Sequence, residues 1–218
     1  MTRTFDTTRL DAVNEMLSVV GEAPVNSLSN ASSGVRMAEN ILDNVDRELQ
    51  TIGWHWNVEQ NYDIAVDGNG KFPLPKNWIR IDTVVGRYGS RELQKRGGFV
   101  YDVRNRTYVL TGITSLRVTA TIFLDYDELP ESARRYIMIR AARMYQDRVA
   151  DSERHHRWTQ EDELRAWTTL LQAEAAIADY NIFQTPLLFG IVARGETPLR
   201  DVGGDTRPPP LPIEPAGG

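Results

Sequence analysis

The sequence predicts an α+β fold: a bundle of about four helices drawn from the N- and C-terminal parts of the chain, with an antiparallel β-sheet region inserted between them. Three observations predict it. Apolar residues recur at helical spacing before Gly53 and again after Pro130, whereas from Trp54 to Asp125 they alternate with a period of two. Helical and strand-like stretches are therefore segregated along the chain rather than interleaved, the pattern of α+β proteins. The 218 residues are 41% apolar and 25% charged, ordinary globular values that allow a sizeable core and exclude wholesale disorder. On this plan residues 1–53 and 127–182 form the helical bundle and 54–126 the β-rich insertion. Residues 183–202 form an apolar C-terminal arm and 203–218 a Pro/Gly-rich tail.

The first helix is read from Leu10, Val13, Leu17 and Val20, with Asp6, Thr7 or Thr8 as N-cap, Gly21 as the stop and Pro24 forbidding continuation. The second runs through Val35, Ala38, Leu42, Val45, Leu49 and Ile52, opening near Ser32 or Ser33 and closing at Gly53. Next, Trp54, Trp56, Val58, Tyr62, Ile64 and Val66 share one face of a period-two pattern, as do Leu116, Val118, Ala120, Ile122 and Leu124. Between them Gly68-Asn69-Gly70, Gly97-Gly98, Arg104-Asn105 and Gly112 separate short runs such as Ile79-Arg80-Ile81 and Phe99-Val100-Tyr101, so about four to six antiparallel strands are expected. Pro130 suits a first helical position after a cap at Asp127, and that third helix continues through Ile137, Ala141, Met144 and Val149. The fourth is capped by Thr159 with Asp162, carries Leu164, Trp167, Leu171, Ala175 and Ala178 as its apolar stripe, and fades near Asn181.

The formal charge of -5, from 25 basic and 30 acidic side chains, argues against a general nucleic-acid binder. Cysteine is absent, which removes disulfides, thiol catalysis and Cys-ligated metal sites. The N-terminus has no apolar stretch of signal-peptide length and no run approaches a membrane span, so a protein made and kept soluble, with no membrane partner, is expected.

Catalytic chemistry is hard to find. Gly68-Asn69-Gly70-Lys71 lacks the spacing and the hydroxyl of a phosphate-binding loop and reads as a hairpin turn. Asp63, Asp67 and Asn69 lack the terminal Glu of a calcium loop. Asp125, Asp127 and Glu128 suit the positive end of the third helix better than a paired-carboxylate site. His155 and His156 are adjacent and cannot share a helical face as metal ligands. No catalytic residue, cofactor or metal is assigned. An enzyme would require a cluster such as Asp125, Asp127 and His155 to converge in space.

The third helix and its exit are locally basic, with Arg134, Arg135, Arg140, Arg143, Arg148, Arg154 and Arg157. Three readings are open for them: pairing with the acids Glu39, Asp43, Asp46 and Glu48 of the second helix, ion pairs between subunits, or contact with DNA. The five tryptophans read as core or interface anchors.

Several ordered motifs resemble one family. Leu10-Asp11-Ala12-Val13-Asn14-Glu15-Met16-Leu17 followed by Gly21-Glu22-Ala23-Pro24-Val25 resembles the opening of the tail tubular protein A family, the head-to-tail adaptor of short-tailed bacteriophages. Ile41-Leu42 through Arg47-Glu48-Leu49-Gln50 and Gly53-Trp54-His55-Trp56-Asn57 are similar to its second helix and entry to the sheet. Arg96-Gly97-Gly98-Phe99-Val100-Tyr101-Asp102 is similar to its central hairpin. Leu129-Pro130, Ala133-Arg134-Arg135-Tyr136-Ile137 and Arg140-Ala141-Ala142-Arg143 resemble its third helix, and Asp179-Tyr180-Asn181 the end of the fourth. The resemblance covers about residues 8 to 182. It implies a structural protein of the virion tail, assembled in the host cytoplasm as a dodecameric ring of identical subunits. The portal protein would lie above it and the tail nozzle protein below, with DNA passing through the lumen without specific binding. The alternative reading is a nucleic-acid-binding module using the Arg-rich third helix.

Beyond the fourth helix, Ile182, Phe183, Leu187, Leu188, Phe189, Ile191 and Val192 are many large apolar groups to leave in water, each worth roughly 1.5–3 kcal/mol on burial. Packing against a neighbouring protein and folding back on the chain's own helices are both open. Pro208-Pro209-Pro210-Leu211-Pro212 favours polyproline II, and the tail of sixteen residues from Gly203 spans roughly 50 Å when extended. The interface candidates are therefore Arg134 and Arg135, Phe183, Leu187, Leu188, Phe189 and Ile191 of the arm, and Pro208, Pro209, Pro210, Leu211 and Pro212 of the tail.

Overall fold

The computed structural model describes residues 6–29, 32–83, 88, 91–149 and 159–177. The arm, the tail, Arg154, His155, His156, Arg157 and Ala178 lie outside the described residues. Four α-helices and a group of antiparallel strands make an α+β fold with the strands between the second and third helices.

Helix α1, Arg9–Val19, begins in a reciprocal cap: the Thr8 hydroxyl accepts from the Asp11 amide at 3.1 Å and the Asp11 carboxylate accepts from the Thr8 amide at 3.1 Å. It ends where Gly21 takes φ +78°, a left-handed value that costs glycine nothing. The chain is then held back by Asn14, whose side chain accepts from the Val25 amide and donates to its carbonyl. Helix α2, Ser33–Thr51, is capped by Ser32 and buries Val35, Ala38, Leu42, Val45 and Leu49, the expected stripe, together with Ile41.

The strands are β1 Val58–Ala65, β2 Trp78–Thr83, β3 Leu93–Arg96, β4 Phe99–Asp102 and β5 Ser115–Ile122. They form two sheets. In the first the order is β1-β5-β2, with Ile64 opposite Leu116 and Ile81 opposite Ala120. The second is the β3–β4 hairpin, closed by Gly97-Gly98. The hairpin is also bonded to the segment 72–74, with the Leu74 amide donating to the Gly98 carbonyl at 2.8 Å and the Val100 amide to the Phe72 carbonyl at 3.0 Å, and contributes Leu93 and Val100 to the core beneath the sheet. That core also holds Phe72, Trp78, Leu116, Val118 and Ala120. β1 carries a bulge between Glu59 and Tyr62, where Asn61 adopts φ +59°.

Two details depart from the alternating pattern. Trp54 and Trp56 do not begin the strand: residues His55–Asn57 form a 3-10 turn, and both indoles pack with the helical core. Trp54 stacks on Trp56 at 6.3 Å between ring centres and meets Trp167 edge-on at 5.6 Å. Tyr62, beyond the bulge, is exposed and meets Trp78 edge-on at 5.0 Å.

Helix α3, Glu131–Val149, starts one residue after Pro130, whose carbonyl accepts from the Arg134 amide at 3.0 Å. Asp127 does not cap it. Asp127 lies in the preceding 3-10 turn, Tyr126–Glu128, and its carboxylate accepts from the Arg9 amide at the start of α1. Helix α4, Gln160–Ile177, has the expected Thr159–Asp162 cap, but its buried face is turned from the predicted stripe. Leu170 is fully buried, Ala166, Trp167 and Leu171 pack beside it, and Leu164 is 63% exposed. The inward neighbours that displace Leu164 are charged. Glu163 bonds Arg143 at 2.6 Å, and Glu174 accepts from the His55 amide at 2.7 Å.

Candidate functional site

Two buried amides fasten the helices to the strands. The Gln50 amide nitrogen donates to Asp46 at 2.8 Å and to the Leu124 carbonyl at 2.9 Å, while its oxygen accepts from the Leu124 amide at 2.8 Å. Asn57 donates to the Gln50 carbonyl at 2.9 Å and the Ile122 carbonyl at 3.1 Å, and accepts from the Trp54 amide at 2.7 Å. The chain segment entering the strands and the one leaving them are thus clasped at one point. Glu174 adds a third tie by accepting from the His55 amide at 2.7 Å. Buried hydrogen bonds of this kind are directional and costly to break, so the junction resists bending. Sequence reading missed these residues; the available signal was a pair of amides, Gln50 and Asn57, set among aromatic and apolar neighbours.

Asp46 stands at the edge of the clasp and is buried. Burial pushes its carboxyl up to about 6, the Gln50 hydrogen bond opposes the rise, and the neighbouring Asp43 adds to it. Burial likewise raises the Tyr126 phenol, with the charge of Glu131 adding to the effect.

The basic helix is largely spent inside the protomer. Arg134 is buried within the protomer: its guanidinium donates to the carbonyls of Leu129 at 2.6 Å, Asp127 at 2.7 Å and Thr7 at 3.4 Å. Beside it, Glu131 accepts from the Thr7 amide at 2.7 Å and hydroxyl at 2.6 Å, so the entry to α3 holds the entry to α1. Arg140 pairs with Glu48 at 2.9 Å and with Glu163 at 3.6 Å, and donates to the Tyr136 hydroxyl at 2.9 Å. Burial lowers the Arg140 pKa, but the Tyr136 hydrogen bond and the charges of Glu48 and Glu163 outweigh it and hold it above the ordinary value. Arg143 reaches Glu163 and, at 3.1 Å, Asp147. The acids of α2 divide accordingly: Glu48 takes Arg140, and Asp43 pairs with Arg9 of α1 at 2.6 Å. Arg135 is exposed and borders a cleft of 260 Å³ with Ile139, Asp162 and Arg165. The other interface candidates, Phe183 to Ile191 and Pro208 to Pro212, lie outside the described residues.

A groove of 330 Å³ runs between α2, α3 and α4. Val45, Leu49, Ile52 and Trp167 give it an apolar floor, and Glu48, Arg140 and Glu163 close ion pairs across its rim. Such a surface suits packing against another protein. The polar residues considered for chemistry have structural partners. Asp67 accepts from the Lys71 amide at 2.8 Å and the Asn69 amide at 2.9 Å, and the first of these bonds holds its carboxyl below the usual range. Asp63 forms a two-pronged pair with Arg117 across β1 and β5. Glu128 accepts from the Asp125 amide at 3.3 Å. Among the described residues no three His, Asp or Glu side chains group as metal donors, and no helix is long and apolar enough to cross a membrane.

No curated protein matches this chain. The family model described as Tail tubular protein matches residues 10–180, a span that takes in all four helices bar the first residue of α1 and every strand, including the Gln50–Asn57 clasp. With that match over most of its length, and with a body of fastened helices and strands, the chain belongs to the tail tubular protein family.

Proposed function

We propose that this structural component of the virion tail is the head-to-tail adaptor: a closed ring of identical copies, twelve by the family resemblance, that joins the portal to the tail nozzle and lines the DNA conduit. The observation that carries the reading is the family match over residues 10–180. The clasp at Gln50 and Asn57 supports it, because a ring transmits position from one tail component to the next only if each subunit keeps its shape. The apolar arm, Phe183, Leu187, Leu188, Phe189 and Ile191, and the proline tail, Pro208, Pro209, Pro210, Leu211 and Pro212, supply reach to adjoining proteins. Of the basic pair we assign a contact with a neighbour to Arg135, an assignment supported by its exposure and by the bonding of Arg134 to internal carbonyls.

Mass and image symmetry of the portal-bound particle test the proposal. A ring with the portal on one side is expected, and a single copy per particle refutes it. Truncation after Asn181 tests the arm: a soluble, helical protein that fails to join its neighbours is expected, and unimpaired assembly refutes the role given to the arm.

A further inference from the structure

A cleft of 480 Å³ lies between the C-terminal half of α2 and strands β2 and β3. Arg47, Lys76 and Lys95 line it, Thr51 and Asn77 add polar groups, and Phe123 is part of its apolar wall. No carboxylate lines it. Arg47 donates to the neutral oxygen of Asn44 at 3.1 Å, Lys95 donates to the Trp78 carbonyl, and none of the three cations has an ion pair among the described residues. On the helical body, by contrast, Arg9, Arg140, Arg143 and Arg165 each meet a carboxylate, and Arg134 donates to three carbonyls. Arg47 also acts on the neighbouring Asp46 from within α2, but three cations around one concavity with no carboxylate in its lining favour the entry of an anion.

The distribution of charge along the chain identifies what could enter. Residues 54–126 carry ten basic and seven acidic side chains, whereas residues 1–53 carry four basic and eight acidic and residues 127–182 eight basic and eleven acidic. The strand region is positive and the helical region negative within one chain. In a head-to-tail contact between identical copies two different patches meet, so one subunit's positive region can face the next subunit's negative one. We infer that this cleft receives carboxylate side chains from the helical region of a second copy of the chain. The inference rests on the ring reading above and adds to it the place and chemistry of a contact between subunits. A concavity with an apolar wall suits inserted side chains, which it shields from water, better than the exposed backbone of a duplex.

The test uses the assembled tail purified with a mixture of isotopically light and heavy copies. A zero-length carbodiimide, which joins an amine to a carboxylate in direct contact, is followed by mass spectrometry. Amide bonds from Lys76 or Lys95 of one isotopic form to Asp or Glu in residues 1–53 or 127–182 of the other are expected. In parallel, Arg47→Glu combined with Lys76→Glu, two exposed sites, keeps the helical signal and a cooperative thermal transition while ring incorporation falls more than about tenfold. A particle of several copies in which these lysines link only within one copy, only to another tail protein, or are shielded only by DNA overturns this inference and leaves the ring reading standing. Normal incorporation of the doubly reversed variant overturns it as well. A particle holding one copy, counted separately by mass, overturns both.

Discussion

Replacing Asp46 by Asn should stabilise the protein at pH 8 and leave it almost unchanged at pH 4. Asp46 is 2% exposed, and its carboxyl is pushed from 3.8 to about 6, chiefly by burial. Arg9 and Arg47 lie near enough to oppose that shift, Asp43 reinforces it, and Tyr126 faces the same space as a neutral phenol. Because the folded pKa is raised, the unfolded chain gives up its proton first. The folded state then binds more protons between pH 4 and 6, and stability falls as pH rises through that window. Two pKa units correspond to about 3 kcal/mol of cost at pH 8, about 1.5 kcal/mol at pH 5 and about 0.5 kcal/mol at pH 4. Asn keeps the shape and an oxygen to accept from Gln50 while removing the charge, so it escapes this cost. Urea denaturation of both proteins across that range, compared as a difference, isolates the contribution of this one group from every other carboxylate. A variant that is less stable than the parent at pH 8, or a difference that does not change with pH, would refute the reasoning.

Two further expectations concern packing. Leu170→Ala should cost about 2–5 kcal/mol in urea denaturation, and Leu164→Ala should stay within about 0.5 kcal/mol; the reverse order would show α4 turned the other way. Arg134→Ala strips the carbonyls of Leu129 and Asp127 of their donor, so a loss of about 3 kcal/mol is expected, with faster amide hydrogen exchange at Thr7 and Arg9. Stability within about 0.5 kcal/mol of the parent would contradict that role.

The helices were legible where local chemistry decides them. The sequence narrows the caps to Asp6, Thr7 or Thr8 and to Ser32 or Ser33, of which Thr8 and Ser32 serve, Gly21 and Gly53 mark the stops, and the spacing from Val35 to Leu49 is uninterrupted. β5 was legible for the same reason, since alternate residues from Leu116 to Ile122 are buried on one face. What escaped was settled by partners distant in sequence. Trp54 and Trp56 alternate like strand residues, yet Trp167, more than a hundred positions later, draws them into the helical core. The stripe of α4 was misplaced because Glu163 and Glu174 face inward, and hydropathy has no means of scoring a carboxylate that is neutralised by Arg143 or bonded to the backbone at His55. Arg134 shows the same blindness from the cationic side: its charge suggests the surface, and three carbonyls hold it inside. Asp127 suited the helix nearest to it in sequence and serves the one nearest in space.

The kink in β1 bears on how copies of this protein meet. Among the described residues β1 has a neighbour on one side only, and a strand with an open edge can recruit the same edge of another molecule and continue without limit. At Asn61 the left-handed turn of the backbone interrupts the row of donors and acceptors, and the charged Glu59 and Asp63 stand on either side of it. Two such edges cannot zip together in register. Backbone pairing accepts almost any sequence and would let copies stick in filaments. With that route interrupted along β1, contacts across this edge fall to side-chain surfaces, which discriminate by shape and charge and can stop growing once the last neighbour is in place.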